Sequence, residues 1–169
     1  LVLLTDAAGV FTADPRTDAG ASLIEEIVEI DQELEALAGG SSSNRGSGGM
    51  ATKLAAAKIA AWSGVRTVIA AADRPDVLVD VVAGRSGVGT TIQAREHRLP
   101  ARKVWIAFGV ASTGRLVVDA GAREALEHRG ASLLAAGVRE VVGTFDADDA
   151  VEVADLDGSV FAKGLVRVG

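Results

Sequence analysis

The sequence predicts an α/β fold in two parts: a parallel-sheet layer over residues 1–97, then a small β-rich unit, barrel or sandwich with one helix, over residues 98–169. Three observations carry this expectation. Apolar runs of strand character alternate with helical stretches in the first part. A glycine-rich loop, Gly46-Ser47-Gly48-Gly49, opens directly into an Ala-rich amphipathic segment. Beyond Arg98-Leu99-Pro100 the pattern changes to short strands broken by turns.

The elements follow in order. Leu1 to Thr5 reads as a buried strand ending at Asp6. With no Met and no turn ahead of it, the numbering is expected to begin part-way through a longer protein. Val10-Phe11-Thr12 and the breaker Asp14-Pro15-Arg16 come next, and Ile24 to Ile30 could form a short strand. Asp31 suits the N-cap of a helix through Leu37, stopped by Gly39-Gly40. Met50 to Ser63 is the best helix, with Leu54, Ala57, Ile59, Ala61 and Trp62 as its apolar face and Gly64 as its stop. Arg66 to Ala71 is a buried strand, Asp76 to Val82 a short helix, and Val88 to Ile92 another strand. In the second part strands are expected at Val104–Phe108, Arg115–Val118, Val138–Phe145, Ala150–Ala154 and Phe161–Val168. A helix from Ala120 to His128 interrupts them, and Asp157-Gly158 makes a tight hairpin turn.

With 169 residues, 49% of them apolar, the chain can bury a core. It has no cysteine, so disulfides, thiolate metal sites and cysteine nucleophiles are excluded. No apolar run reaches bilayer-spanning length. A net charge of −6 disfavours general nucleic-acid binding, because little counterion-release energy is available to an acidic chain.

The loop from Gly46 through Lys53 carries the strongest chemical signal. Bare glycines let a bulky anion approach backbone N–H groups, and a helix N-terminus adds unpaired donors and partial positive charge. Lys53 supplies a formal charge. These parts suit a phosphate cradle, with a flexible linker or plain helix cap as the alternative. The loop is not a Walker A motif, and its match to a dinucleotide fingerprint lacks the strand that should precede it. Thr5 and Asp6, at the carboxyl end of a strand, could hold a ribose, a base edge or hydrated Mg²⁺, or simply make a turn. Phe11 to Arg16 places an aromatic face, a carboxylate and a cation on one loop, although such a Phe usually belongs to a core. His97 and His128 lack metal-ligand spacing. Asp146 to Asp149 is a carboxylate run without the spacing of a calcium loop.

Leu3 through Arg16 and Gly46 through Ala57, in this order, resemble the amino-acid kinase family, and within it the members acting on glutamate. Arg102 to Ile106 and the run from Gly121 to Val138 resemble the PUA domain that follows the kinase domain in many members. The resemblance implies the C-terminal, nucleotide-binding part of an amino-acid-kinase-like parallel-sheet sandwich over residues 1–97. It implies a PUA-like barrel, incomplete at its end, over residues 98–169. It further implies phosphorylation of the γ-carboxylate of L-glutamate by ATP with Mg²⁺, the first step of proline synthesis. Thr5 and Asp6 would contact the nucleotide, and Ser47, Gly48, Gly49, Met50, Ala51, Thr52 and Lys53 would wrap its phosphates. Lys53 would neutralise charge on the transferring group; Ala51 stands where serine is common. The family's N-terminal half, with its acceptor site, has no counterpart here, so this segment alone is expected to be inactive. Proline as feedback inhibitor, a dimer or tetramer and a cytoplasmic location are also implied. RNA binding by the PUA-like part is the alternative function. It is weakened by eight Lys and Arg against ten Asp and Glu over residues 101–169. A related kinase acting on carbamate, aspartate or UMP is a further alternative, against which the PUA-like tail argues.

Overall fold

A computed structural model describes residues 1–39 and 49–167. The chain divides into two compact units, residues 1–100 and residues 101–169.

The first unit is built on a four-stranded sheet of β1 (Val2–Thr5), β2 (Glu26–Ile27), β3 (Thr67–Ala71) and β4 (Thr90–Ile92), in the order β1-β3-β4-β2. The β1–β3 and β2–β4 pairs are parallel, as expected, but the central β3–β4 pair is antiparallel. Beta-strand side chains alternate between faces. Ile69 of β3 therefore joins one core with Leu54, Ala57 and Ala61 of helix α2 (Met50–Trp62), while Val68 and Ala70 join another with Val77 and Val81 of α3 (Val77–Val82). Gly89 must be glycine: a Cβ there would lie 2.2 Å from the Ile69 carbonyl oxygen.

Local chemistry sets the helix ends. Asp31 accepts the Leu34 N–H at 2.8 Å and caps α1 (Gln32–Gly39). At the other end of α2, Gly64 adopts φ +78°, its N–H bonds the Ala61 carbonyl and the Val65 N–H bonds that of Ala60. This paired closure satisfies carbonyls that the helix would otherwise leave open. Two expectations need correction here. Ile59 does not belong to the apolar face of α2 but is exposed, because five residues from Leu54 carry it well round the helix. Trp62 is half-buried and lies beneath the Arg95 guanidinium, 4.0 Å from its ring centre. Nor is β1 buried throughout: it lies at the edge of the described sheet, with Leu4, and Leu1 just ahead of it, exposed.

The second unit is a four-stranded sheet of β5 (Gly114–Val118), β6 (Val138–Gly143), β7 (Ala150–Ala154) and β8 (Val160–Leu165), ordered β6-β5-β7-β8. Only β5–β7 is parallel. Among the described residues the sheet does not close into a barrel. The expected hairpin between β7 and β8 is present. The Asp155 carboxylate accepts the N–H groups of Asp157 and Ser159, and Gly158 adopts φ +83°. The expected helix is α5 (Ala120–His128), capped by Asp119, whose carboxylate accepts the Ala122 N–H at 2.8 Å. The expected strand Val104–Phe108 is instead helical: α4 (Ala101–Val104) runs into a π-helical turn, Trp105–Gly109. A short apolar run without alternation fits either form, and Pro100 just ahead of it favours a helix start.

Candidate functional site

Residues at the carboxyl end of β1 and the first turn of α2 meet at a cleft of about 340 Å³ in the first unit. Thr5 and Asp6 form one wall, Gly49, Met50 and Lys53 another, and the loop from Phe11 to Arg16 the rim. Leu37 and Ala38 of α1 also reach it.

Thr5 is buried at the last position of β1, and its hydroxyl donates to the Asp6 carboxylate at 3.0 Å. That bond, Asp6's own N–H and the charges of Lys53 and Arg16 hold the Asp6 carboxyl below its ordinary range. Asp6 is therefore an anion at neutral pH, flanked by two cations. Across the rim, Arg16 grips Asp14 by two parallel bonds, Nε to Oδ1 at 3.0 Å and Nη2 to Oδ2 at 2.7 Å. The Arg16 N–H donates to the same carboxylate at 3.0 Å. This fork pulls the Asp14 carboxyl down to about 2 and raises the guanidinium. Its effect on the site is to fix the loop's shape.

At the start of α2, the N–H groups of Thr52 and Lys53 both return to the Gly49 carbonyl, at 3.1 and 3.3 Å. Met50 and Ala51 occupy positions whose N–H groups have no intrahelical acceptor. Gly49 is extended, φ −61° and ψ 175°, and as a glycine it brings no side chain of its own to cap the helix. An anion is the natural complement of such a terminus.

Of the residues singled out from sequence, Thr5, Asp6, Gly49, Met50 and Lys53 come together at the cleft. The side chains of Ala51 and Thr52 are exposed and do not line it. Ser47 and Gly48 lie outside the described residues. The Phe11–Arg16 loop, read as an aromatic, a carboxylate and a cation in one place, is part of the cleft although it was not among the expected site residues. Among the described residues no group of three or more His, Cys, Asp or Glu could hold a metal ion, and no helix is long and apolar enough to cross a membrane. His128 faces Glu124 across one helical turn.

Comparison with known proteins finds two family models that match segments of the chain. Residues 1–71 match the amino acid kinase family model and residues 114–169 the PUA domain model. Glutamate 5-kinase from Shewanella pealeana is 49% identical over 167 residues, covering 99% of this chain and 45% of the relative. Glutamate 5-kinase from Photobacterium profundum is 46% identical over 167 residues, 99% of this chain and 44% of the relative. The protein of that name from Synechococcus elongatus is 47% identical over 168 residues, again 99% and 45%. The chain thus spans a little under half the length of the curated relatives it matches. With an amino acid kinase segment and a PUA segment in that order, the chain is similar over nearly its whole length to one part of the glutamate 5-kinases.

Proposed function

We propose that this chain is the nucleotide-handling part, with a PUA domain, of an enzyme that moves the γ-phosphoryl group of ATP to the γ-carboxylate of L-glutamate. The product, glutamate 5-phosphate, feeds proline synthesis. One observation supports this above the others: Thr5, Asp6 and Lys53, separated by more than forty residues of chain, line one cleft at the carboxyl end of a strand and the start of a helix. Ligands of open α/β sheets bind at such places.

The chemistry assigned to each residue follows from charge. Phosphoryl transfer asks a protein mainly to position its substrates and to neutralise negative charge spread over the moving group. Lys53 supplies the positive charge. The first-turn N–H groups of α2, with Ser47 to Thr52 as the wrapping segment, hold the phosphates. Thr5 and ionised Asp6 hold the nucleoside end or the hydrated cation that accompanies it. That single carboxylate suits a Mg²⁺ bound chiefly by phosphate oxygens and water, as the ion prefers. When bound, the ion shields the phosphate charge; orientation belongs to the residues of the cleft.

In this reading residues 1–97 form the nucleotide-binding segment and residues 98–169 the PUA-like segment. Proline is the expected feedback inhibitor, the assembly a dimer or tetramer, and the location the cytoplasm. Charge argues against RNA as a partner, given the excess of carboxylates over residues 101–169.

The test is a graft. Replacing the matched segment of the Shewanella pealeana relative with this chain should give an enzyme whose ADP release requires both ATP and glutamate. This chain by itself should bind ATP without turning it over. A correctly folded graft that releases no ADP, or this chain failing to bind ATP in a calorimetric titration, would refute the proposal.

A further inference from the structure

The rim of the cleft is carried by a two-stranded arm. Ile24 N–H donates to the Val10 carbonyl at 2.8 Å, Phe11 pairs with Leu23, and Thr12 N–H donates to the Ser22 carbonyl at 2.9 Å. Asp14 to Arg16 lie at its turn. In a regular antiparallel pair, Val10 and Ile24 would exchange two backbone bonds. Here only one is made directly. The second passes through a side chain: Val10 N–H donates to Thr90 Oγ1 at 2.8 Å, and that hydroxyl donates to the Ile24 carbonyl at 2.6 Å. Thr90, on β4, is fully buried, and Val10 is 2% exposed. Gly9 presses against the same hydroxyl so closely that a Cβ would sit 2.6 Å from it.

We infer that Thr90 is a positioning residue for the nucleotide cleft: its hydroxyl is spliced into the base of the 10–24 arm and ties the Phe11–Arg16 rim to the sheet. The inference rests on the reading of the cleft as the ATP site. The hydroxyl meets the buried Val10 N–H and, in a part-buried bond, the Ile24 carbonyl, with the Val10 carbonyl 3.5 Å away. Valine has the same shape and can do neither, so the Val10 N–H would be stranded and the Ile24 carbonyl would lose its link, or the arm would have to lift. Serine keeps the chemistry. Neighbouring β3 and α2 do not depend on this hydroxyl, so the effect should stay in the arm.

Thr90→Val, Thr90→Ser and the unaltered chain are compared by amide hydrogen exchange and by titration with MgATP. In Thr90→Val the amides of residues 10–16 and 22–24 should exchange about tenfold faster and MgATP should bind about tenfold more weakly, the size expected for losing a buried hydrogen-bond partner. Thr90→Ser should restore both, with the amides of β3 and α2 unchanged throughout. Should Thr90→Val not fold, Gly9→Ala perturbs the same contact from the loop side and should loosen the same arm. Arm exchange equal to that of the unaltered chain overturns the inference. So does equal acceleration in the arm, β3 and α2, which would make Thr90 an ordinary core residue. Either result with MgATP bound by the unaltered chain leaves the cleft reading intact. No MgATP binding by the unaltered chain sinks that reading and, with it, the ligand half of this inference; the exchange data still decide the anchoring half.

Discussion

The two units solve the problem of stability differently. In the first, helices cover both faces of the sheet, and Ile69, Leu54, Ala57 and Ile92 are almost wholly shielded from water. That enclosed interior can accommodate polar groups such as Thr90, held by its own hydrogen bonds, and Asp80, paired with Arg74 and Arg85. In the second unit the described core is confined to Val118 and four residues of β7, and no residue of α5 is buried. Ion pairs tie its elements instead: Arg115 to Glu152, Arg123 to Asp155, and Arg139 to Asp119. The contrast shows why the cleft belongs to the first unit. A site that must hold a carboxylate, a lysine and a helix terminus in fixed geometry needs a rigid apolar support behind it, and paired strands with surface ion pairs supply less of one.

The comparison can be broken or sharpened by four measurements. The largest effect is expected at Lys53. In the grafted enzyme Lys53→Ala should lower kcat roughly 10²–10³-fold while changing ATP affinity far less, if its charge acts mainly on the transition state as proposed. An unchanged turnover number would remove Lys53 from the chemistry. Next, Leu54→Ala should destabilise the first unit by about 2–5 kcal/mol through loss of burial and the cavity left behind. Leu156→Ala, 66% exposed in the second unit, should move denaturant stability by no more than about 0.5 kcal/mol. Similar losses at both sites would erase the distinction between the units.

A smaller effect is expected at Arg123, which bonds Asp155 and Glu127 and lies 5.0 Å from the Phe161 ring centre. Arg123→Ala should cost about 1 kcal/mol, diminishing as salt is raised, because pairs of this exposure are screened. A salt-independent loss would point to packing rather than charge. The smallest effect is the titration of Asp14. Its folded pKa, about 2, lies below the ordinary 3.8. The Asp14–Arg16 fork therefore contributes fully above about pH 4 and is lost as pH falls toward about 2. Carboxyl chemical shifts should show this midpoint, and Arg16→Ala should return it toward the ordinary value. An unmoved midpoint in that variant would deny the fork its role.

Much of the chain's local structure could be read in advance because its causes are local. Asp31 and Asp119 cap helices by bonding N–H groups three residues on, and Gly64 and Gly158 supply conformations that other residues resist. The order of Thr5-Asp6, the Gly-rich loop and Lys53 was enough to raise a phosphate site and a family resemblance. The stretch after Pro100 was misread because five apolar residues favour strand and helix about equally when no neighbour is known.

Sequence by itself determined where most helices and strands begin and end, which residue types could grip a phosphate, and which kinases the chain resembles. Each depends on side chains within a turn or two of one another, or on a short ordered motif. Only tertiary structure decided that β3 and β4 run antiparallel, that Ala51 and Thr52 are exposed and do not line the cleft, and that the charge of Arg16 reaches Asp6 while Thr90 bonds across eighty residues to Val10. Those relations depend on how the chain closes on itself, and a buried hydroxyl takes whatever donors and acceptors that closure brings within reach.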